Sequence, residues 1–348
     1  MKILICSDVF PDFSGIARYT KSFCRELGSS YEISIACKKR NGESEREVID
    51  GVNVVRLSVD AIDDFMDKSR GKFDRVIVRY YPFLPGAVKN FEDFIYVVPS
   101  VRSVSLKYKT NKSSTMPKEK AIEIERDGMV ACKHLVCPSD YLRRQILKDY
   151  GIDKGVVIHH AIDTNKFVPS DEKDFDCVVV ANFNDLRKGI DRLIPLMKKI
   201  NGNLVILGEG RLREKYQELI DENNLSDRVE LVGKQESSEF IRKSKILISP
   251  SRCEAFGFVI LEGMSCGIPV VAYRPDDENV LTASDELISD GETGFLVDDD
   301  SEMVEKINFL LSDDGVRNEM GIAARKFAEE NDWGKYIGKL EKYLGEKL

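Results

Sequence analysis

Two glutamates eight positions apart, Glu254 and Glu262, are the residues of this chain best placed to do chemistry. They lie in Ser251-Arg-Cys-Glu254-Ala-Phe-Gly257-Phe-Val-Ile-Leu-Glu262-Gly-Met-Ser-Cys-Gly267-Ile-Pro269-Val-Val-Ala272. The run follows an apolar stretch, 246–249, that reads as a strand, and a helix is expected to start around Gly257. Backbone N–H groups at a helix start have no partner within the helix and make an anion site. A carboxylate accepts two hydroxyl hydrogen bonds, so it grips the vicinal hydroxyls of a ribose or hexose. Two carboxylates beside an anion site suit a ligand with a phosphate and polyol ends. The same residues also suit a capped, solvated helix start, because the helix dipole favours acids there. Taken alone, the spacing leaves both readings open.

The elements that must position these residues alternate along the whole chain. Its 348 residues, 42% hydrophobic and 32% charged, are enough for two domains and two cores. That composition excludes disorder, collagen and coiled coil. Strands are expected at 2–6, 32–36, 52–57, 75–79, 94–99, 134–137 and 156–159, with helices between them. The helix over 16–27 carries Tyr19, Phe23 and Leu27 at spacings of four, and Ser139 caps another that Gly151 closes. A polar stretch at 162–173 with Pro169 reads as a linker. A second alternation follows, with strands at 176–180, 204–207, 229–232, 246–249, 269–272 and 294–297. Strand–helix alternation of this kind predicts parallel, doubly wound sheets, an α/β fold of two Rossmann-like domains facing an interdomain cleft. The expected boundaries are 1–165 and 166–320, with a helical tail over 321–348. Phe327, Trp333, Tyr336, Leu340 and Tyr343 in the tail are expected to pack back toward the N-terminal domain.

Charge and cysteine usage narrow the setting. The 52 Lys+Arg and 60 Asp+Glu give a net charge of −8. Residues 1–165 hold 27 basic and 23 acidic residues, and the remainder 25 and 37. Much of the positive excess sits in 102–120, read as a mobile loop that is either plainly solvated or attracts an anionic acceptor or a membrane surface. Acidity overall argues against nucleic acid. Eight cysteines without a Cys-x-x-Cys and three histidines leave few zinc ligands. No apolar run is long enough for a membrane span and the start lacks a signal-peptide pattern, so a cytoplasmic protein is expected. Asp298–Asp300 is an acidic triplet read as solvated surface. The pair His159 and His160 cannot easily share one metal on a strand, where neighbours face opposite ways, and is read as structural.

Taken together, the Glu254–Glu262 run resembles the Glu-x7-Glu donor motif of the retaining glycosyltransferases of family four, which have the GT-B fold. The similarity extends to Lys188-Gly189-Ile190-Asp191, Gly208-Glu-Gly210, Val232-Gly233 and Asp290-Gly-Glu-Thr-Gly294, and to the Gly15 loop before the first helix. The resemblance implies that Glu262 holds ribose hydroxyls and Glu254 the hydroxyls of the donor sugar. Backbone at Phe256, Gly257, Phe258 and Val259 would receive sugar hydroxyls and diphosphate, and Val232 lies on the base side. Lys188 would neutralise the leaving diphosphate, and the Gly15 loop would close on it. The family needs no metal or other cofactor. Two departures stand out: Ala181-Asn182 replaces a Gly-Arg pair, with Arg187 either a candidate to supply the lost charge or a surface residue, and Ser100-Val-Arg102 replaces a first-domain histidine.

The implied activity is transfer of a hexose from a nucleotide-diphosphate sugar to an acceptor hydroxyl, with retention. The basic loop favours a phosphorylated or lipid-linked acceptor and, with it, peripheral membrane contact at the inner face. The competing reading is a nucleotide-sugar-binding protein with little or no transfer. An epimerase or phosphorylase lacks its signature residues here, and no Gly-x-Gly-x-x-Gly follows the first strand as a dinucleotide enzyme would require.

Overall fold

The computed structural model describes residues 1–11, 15–28, 30–105, 116–276, 278–345 and 348. These form two compact units. The first holds residues 1–105 and 116–161 together with Trp333–Leu348, and the second holds Ile162–Asp332.

The first unit is built on an eight-stranded sheet. Its strands are β1 (Lys2–Cys6), β2 (Glu32–Lys38), β3 (Arg46–Ile49), β4 (Val52–Leu57), β5 (Arg75–Val78), β6 (Phe94–Val97), β7 (His134–Cys137) and β8 (Val156–Val157), in the order β3-β4-β2-β1-β5-β6-β7-β8. All neighbours are parallel except the edge pair β3–β4. β6, Phe-Ile-Tyr-Val, is buried at every position, as a strand covered on both faces must be. β3 escapes sequence reading because its residues are almost all exposed and carry no apolar alternation.

The second unit carries β9 (Phe175–Val180), β10 (Leu204–Leu207), β11 (Val229–Gly233), β12 (Ser244–Ser249), β14 (Val270–Tyr273) and β16 (Gly294–Val297), all parallel, in the order β11-β10-β9-β12-β14-β16. A separate two-stranded piece pairs β13 (Cys253–Glu254) with β15 (Leu281–Thr282). Successive residues of each strand serve opposite cores: Cys177 and Val179 lie in one hydrophobic cluster, Val178 in the other, and Ile206 and Leu207 divide the same way.

The tail does not behave as one segment. The expected boundary at residue 321 falls inside the helix Asp314–Glu329, which belongs to the second unit. The reason is Arg325, whose Nη1 donates to the carbonyls of Thr164, Phe167 and Ser265 at 3.2, 2.8 and 2.7 Å. Ile162 N donates to Asn331 O at 3.0 Å, so the chain enters and leaves this unit at one place. The helix Trp333–Leu344 belongs to the first unit. Its Trp333 and Tyr336 rings lie 5.0 and 5.8 Å from Tyr19 in the helix Gly15–Leu27, and the Tyr19 and Tyr336 hydroxyls are bonded at 2.6 Å.

The expected mobile loop over 102–120 is helical at both described ends, Arg102–Ser105 and Lys118–Ala131; residues 106–115 lie outside the described residues. Among the described residues no helix is long and apolar enough to cross a membrane.

Candidate functional site

Counted along the chain, the six strands of the second sheet run 3-2-1-4-5-6. The direction of winding therefore reverses between β9 and β12. Connections leaving two such neighbours turn to opposite faces, which opens a crevice beyond their carboxyl ends. A depression sits there, with about 300 Å³ of empty space counting the solvent at its mouth. Its lining includes Val180 and Ala181 from the end of β9, Ser249, Pro250 and Ser251 from the end of β12, and Lys188, Glu254, Gly257 and Val259.

The turn after β9 aims Lys188 into this crevice. Asp185, 5% exposed, accepts the Arg187 backbone N–H at 3.1 Å and starts the single helical turn Leu186–Lys188. Gly189 ends that turn at φ +67°, and a Cβ built on it would lie 1.9 Å from the Pro250 carbonyl oxygen. Only glycine allows the β9 turn and the β12 exit to cross so closely. The crossing brings the Lys188 Nζ to 2.5 Å from Glu254 Oε2, across 66 positions of sequence. Both side chains stay partly open, 16% and 25% exposed. Glu254 is held by β13, which pairs in parallel with β15 in the register Glu254↔Thr282. Beyond it Gly257, at φ +99°, turns the chain into the helix Phe258–Ser265, so the amino end of that helix forms another wall. A cation and a helix start suit an anion. A carboxylate beside them suits hydroxyls.

The other expected residues are spread more widely. The Arg187 guanidinium turns back to Asp185, with Nε 3.0 Å from each carboxylate oxygen, and is absent from the crevice lining. Burial opposes its charge, but the Asp185 bonds outweigh burial and raise its pKa. Phe256 is buried and lines a neighbouring depression, about 210 Å³ of empty space counting open solvent, with Ser249, Ser251, Glu254 and Thr282; Phe258 meets it edge-on at 5.4 Å. Glu262 is only 3% exposed and sits 3.5 Å from the Ser237 hydroxyl, in the helix Ser237–Arg242 that follows β11. Val232, half-buried, is in β11 itself. The structure thus joins Lys188, Glu254, Gly257 and Val259 at one crevice, with Glu262 against the helix Ser237–Arg242 and Val232 in β11. Gly15 opens its helix in the first unit, and residues 12–14 before it lie outside the described residues.

In the first unit Arg102, which stands where the resemblance leads one to look for a histidine, is engaged by Glu125. That fully buried carboxylate accepts the Arg102 backbone N–H at 2.7 Å and the Tyr150 hydroxyl at 2.6 Å, and Arg102 Nε lies 3.8 Å away. Burial pushes the Glu125 carboxyl up, against the pull of Arg102. His160 is buried with its ring 4.6 Å from Tyr19, and burial first, then Arg79, pushes its pKa down. The acidic triplet has structural duties: Asp299 caps the helix Asp300–Ser312, Asp298 pairs with Arg274, and Asp300 accepts the Tyr273 hydroxyl.

Comparison with known proteins agrees with the fold. Residues 13–166 match the family Glycosyltransferase Family 4, and residues 162–327 match Glycosyl transferases group 1. An uncharacterized glycosyltransferase of Methanocaldococcus jannaschii is 30% identical over 208 residues, 58% of this chain and 56% of that one. The chain thus spans little more than half the length of that curated relative. Among solved structures, a sucrose-phosphate synthase of Thermosynechococcus elongatus superimposes with a TM-score of 0.85 at 18% identity over 99% of both chains. HepE of Anabaena, solved with UDP and glucose, gives 0.83 at 14% identity over 99% of both. The two family matches together run from residue 13 to 327, overlapping at 162–166, and the chain is thus similar to family 4 and group 1 glycosyltransferases and shares the two-domain GT-B fold of the solved structures.

Proposed function

We propose that the protein transfers a hexose from a nucleotide-diphosphate sugar to an acceptor hydroxyl, with retention of anomeric configuration and without a metal or other cofactor. The observation that carries this reading is the Lys188–Glu254 pair at the strand-end crevice, 2.5 Å apart and open to solvent on one side. In the structure the two charges satisfy each other. An arriving diphosphate replaces Glu254 as the partner of Lys188, and the released carboxylate accepts hydroxyls of the sugar. As the bond from the anomeric carbon to the phosphate oxygen breaks, the acceptor oxygen bonds that carbon from the same face. The departing phosphate takes the acceptor proton. Negative charge then grows on the diphosphate, where Lys188 and the amino end of the Phe258–Ser265 helix stabilise it more than in the ground state. The cationic service a metal would give is supplied by the lysine.

The HepE structure with UDP and glucose supports a nucleotide sugar as donor. The ribose role of Glu262 requires the nucleoside to seat on the β11 side, against Ser237 and Val232. The basic residues of 102–120, with Lys118 and Lys120 on a described helix, support an acceptor that is phosphorylated or lipid-linked. One observation favours the second reading, a nucleotide-sugar-binding protein with little turnover: the Arg187 guanidinium is bonded to Asp185 and does not line the crevice.

A thermal-shift screen of UDP, GDP, ADP and their sugars tests the proposal. A bound ligand at about 100 times its Kd adds about 2.7 kcal/mol of stability, and at least one nucleotide sugar is expected to raise Tm by several degrees. No shift with any of them at millimolar concentration would defeat the assignment. Release of free sugar, or transfer to any acceptor, would end the binding-only reading.

A further inference from the structure

We propose that Arg252 and Asp191 form a positioning pair that sets Lys188 and Glu254 in register for diphosphate recognition. Nothing in the sequence reading gives either residue a role. The inference rests on the glycosyl-transfer reading of the same crevice and adds two residues that do not line it.

Arg252 grips the Lys188 turn on both sides. Its backbone N–H donates to Arg187 O at 2.7 Å, and its Nη1 donates to Leu186 O at 2.9 Å. Beyond Lys188, the guanidinium makes a two-pronged contact with Asp191 in the first turn of the helix Ile190–Leu196. Nη1 donates to Oδ1 at 2.7 Å and Nη2 to Oδ2 at 2.9 Å. Lys188 therefore lies between two points of attachment to one side chain. Arg252 is also anchored to the strand piece that holds Glu254, since its carbonyl accepts Leu281 N–H at 2.7 Å beside the β13–β15 pairing. The residue thus links the segment carrying the cation to the segment carrying the carboxylate.

Both side chains are about a quarter exposed, 27% and 22%, and a forked Arg–carboxylate pair contributes to folding as well as to geometry, so binding selectivity and Tm are measured together to separate the two. What a fork on a carboxylate adds is direction, because two parallel bonds fix the plane of the guanidinium. A lysine keeps the charge and loses the fork, so R252K separates geometry from charge.

The test measures how much better the protein binds UDP than UMP, or GDP than GMP where the guanine nucleotide is the one that stabilises it. That ratio isolates the second phosphate, which Lys188 is assigned to meet. R252K is expected to cut the ratio roughly tenfold and to leave Tm within a few degrees of wild type. D191N, which keeps the shape of the side chain, should cut it in the same direction. The double variant K188A/R252K should lose no more than K188A alone, because the two act through one contact. A wild-type ratio in a folded R252K or D191N protein would overturn the inference, as would losses that multiply in the double variant. Indifference of the ratio to K188A itself would instead remove the functional reading, and the inference with it.

Discussion

Lys188→Ala is expected to slow sugar transfer or donor hydrolysis by roughly 10²–10³-fold, the range seen when one preorganised group facing a developing oxyanion is removed. The loss should also appear in binding: nucleoside diphosphate affinity should fall steeply while nucleoside monophosphate affinity changes little. The lysine is 16% exposed and its partner Glu254 is 25% exposed, so thermal unfolding of the variant is measured alongside, and the double variant K188A/E254A, which leaves no lone carboxylate, separates a folding loss from a binding loss. Steady-state kinetics with the donor chosen by thermal shift, alongside calorimetric titration of the two nucleotides, measures both effects. An unchanged diphosphate affinity would take Lys188 out of the site.

Glu254→Ala carries the opposite signature. Turnover should again drop by roughly 10²–10³-fold, because the sugar loses its hydroxyl acceptor beside the reacting carbon. Affinity for the bare nucleoside diphosphate should hold or rise. In the wild type a diphosphate must draw Lys188 away from Glu254 Oε2, 2.5 Å distant; in the variant no carboxylate competes for the ammonium. Opposite signs at two residues in contact are hard to obtain from a generic disturbance of the crevice. Equal losses of turnover and diphosphate affinity at Glu254 would contradict a sugar-side role.

Much of this architecture is legible before any coordinates. Strands such as β10, Leu-Val-Ile-Leu, are apolar throughout because helices cover both faces of a parallel sheet, and that pattern announces itself. The two-residue strands β13 and β15 are too short to show a period, yet β13 holds Glu254. The start of the 102–120 segment is likewise held from a distance, by a Glu125 carboxylate 23 positions away that accepts the Arg102 backbone N–H. Local composition there reads only as basic and polar.

The site divides in the same way. Lys188 and Glu254 can be named from motifs, but their contact depends on the crossing at Gly189 and Pro250, a tertiary fact. Arg187 offered a nearby signal that points elsewhere: an aspartate two residues before it caps the turn and takes its guanidinium. Arg252 and Asp191 both lie inside recognisable motifs, but opposite charges 61 positions apart say nothing of their pairing until the turn is folded. Glu262 is in the motif and yet nearly buried, because its helix packs against the one that follows β11.

The most direct test of the central claim is a crystal structure of the protein with the nucleotide-diphosphate sugar that stabilises it. The account predicts phosphate oxygens about 2.7–3.2 Å from Lys188 Nζ, the amino end of the Phe258–Ser265 helix against the diphosphate, and Glu254 turned to the sugar hydroxyls. A diphosphate bound away from the carboxyl ends of β9 and β12, or a Lys188–Glu254 contact that survives with the ligand in place, would contradict it.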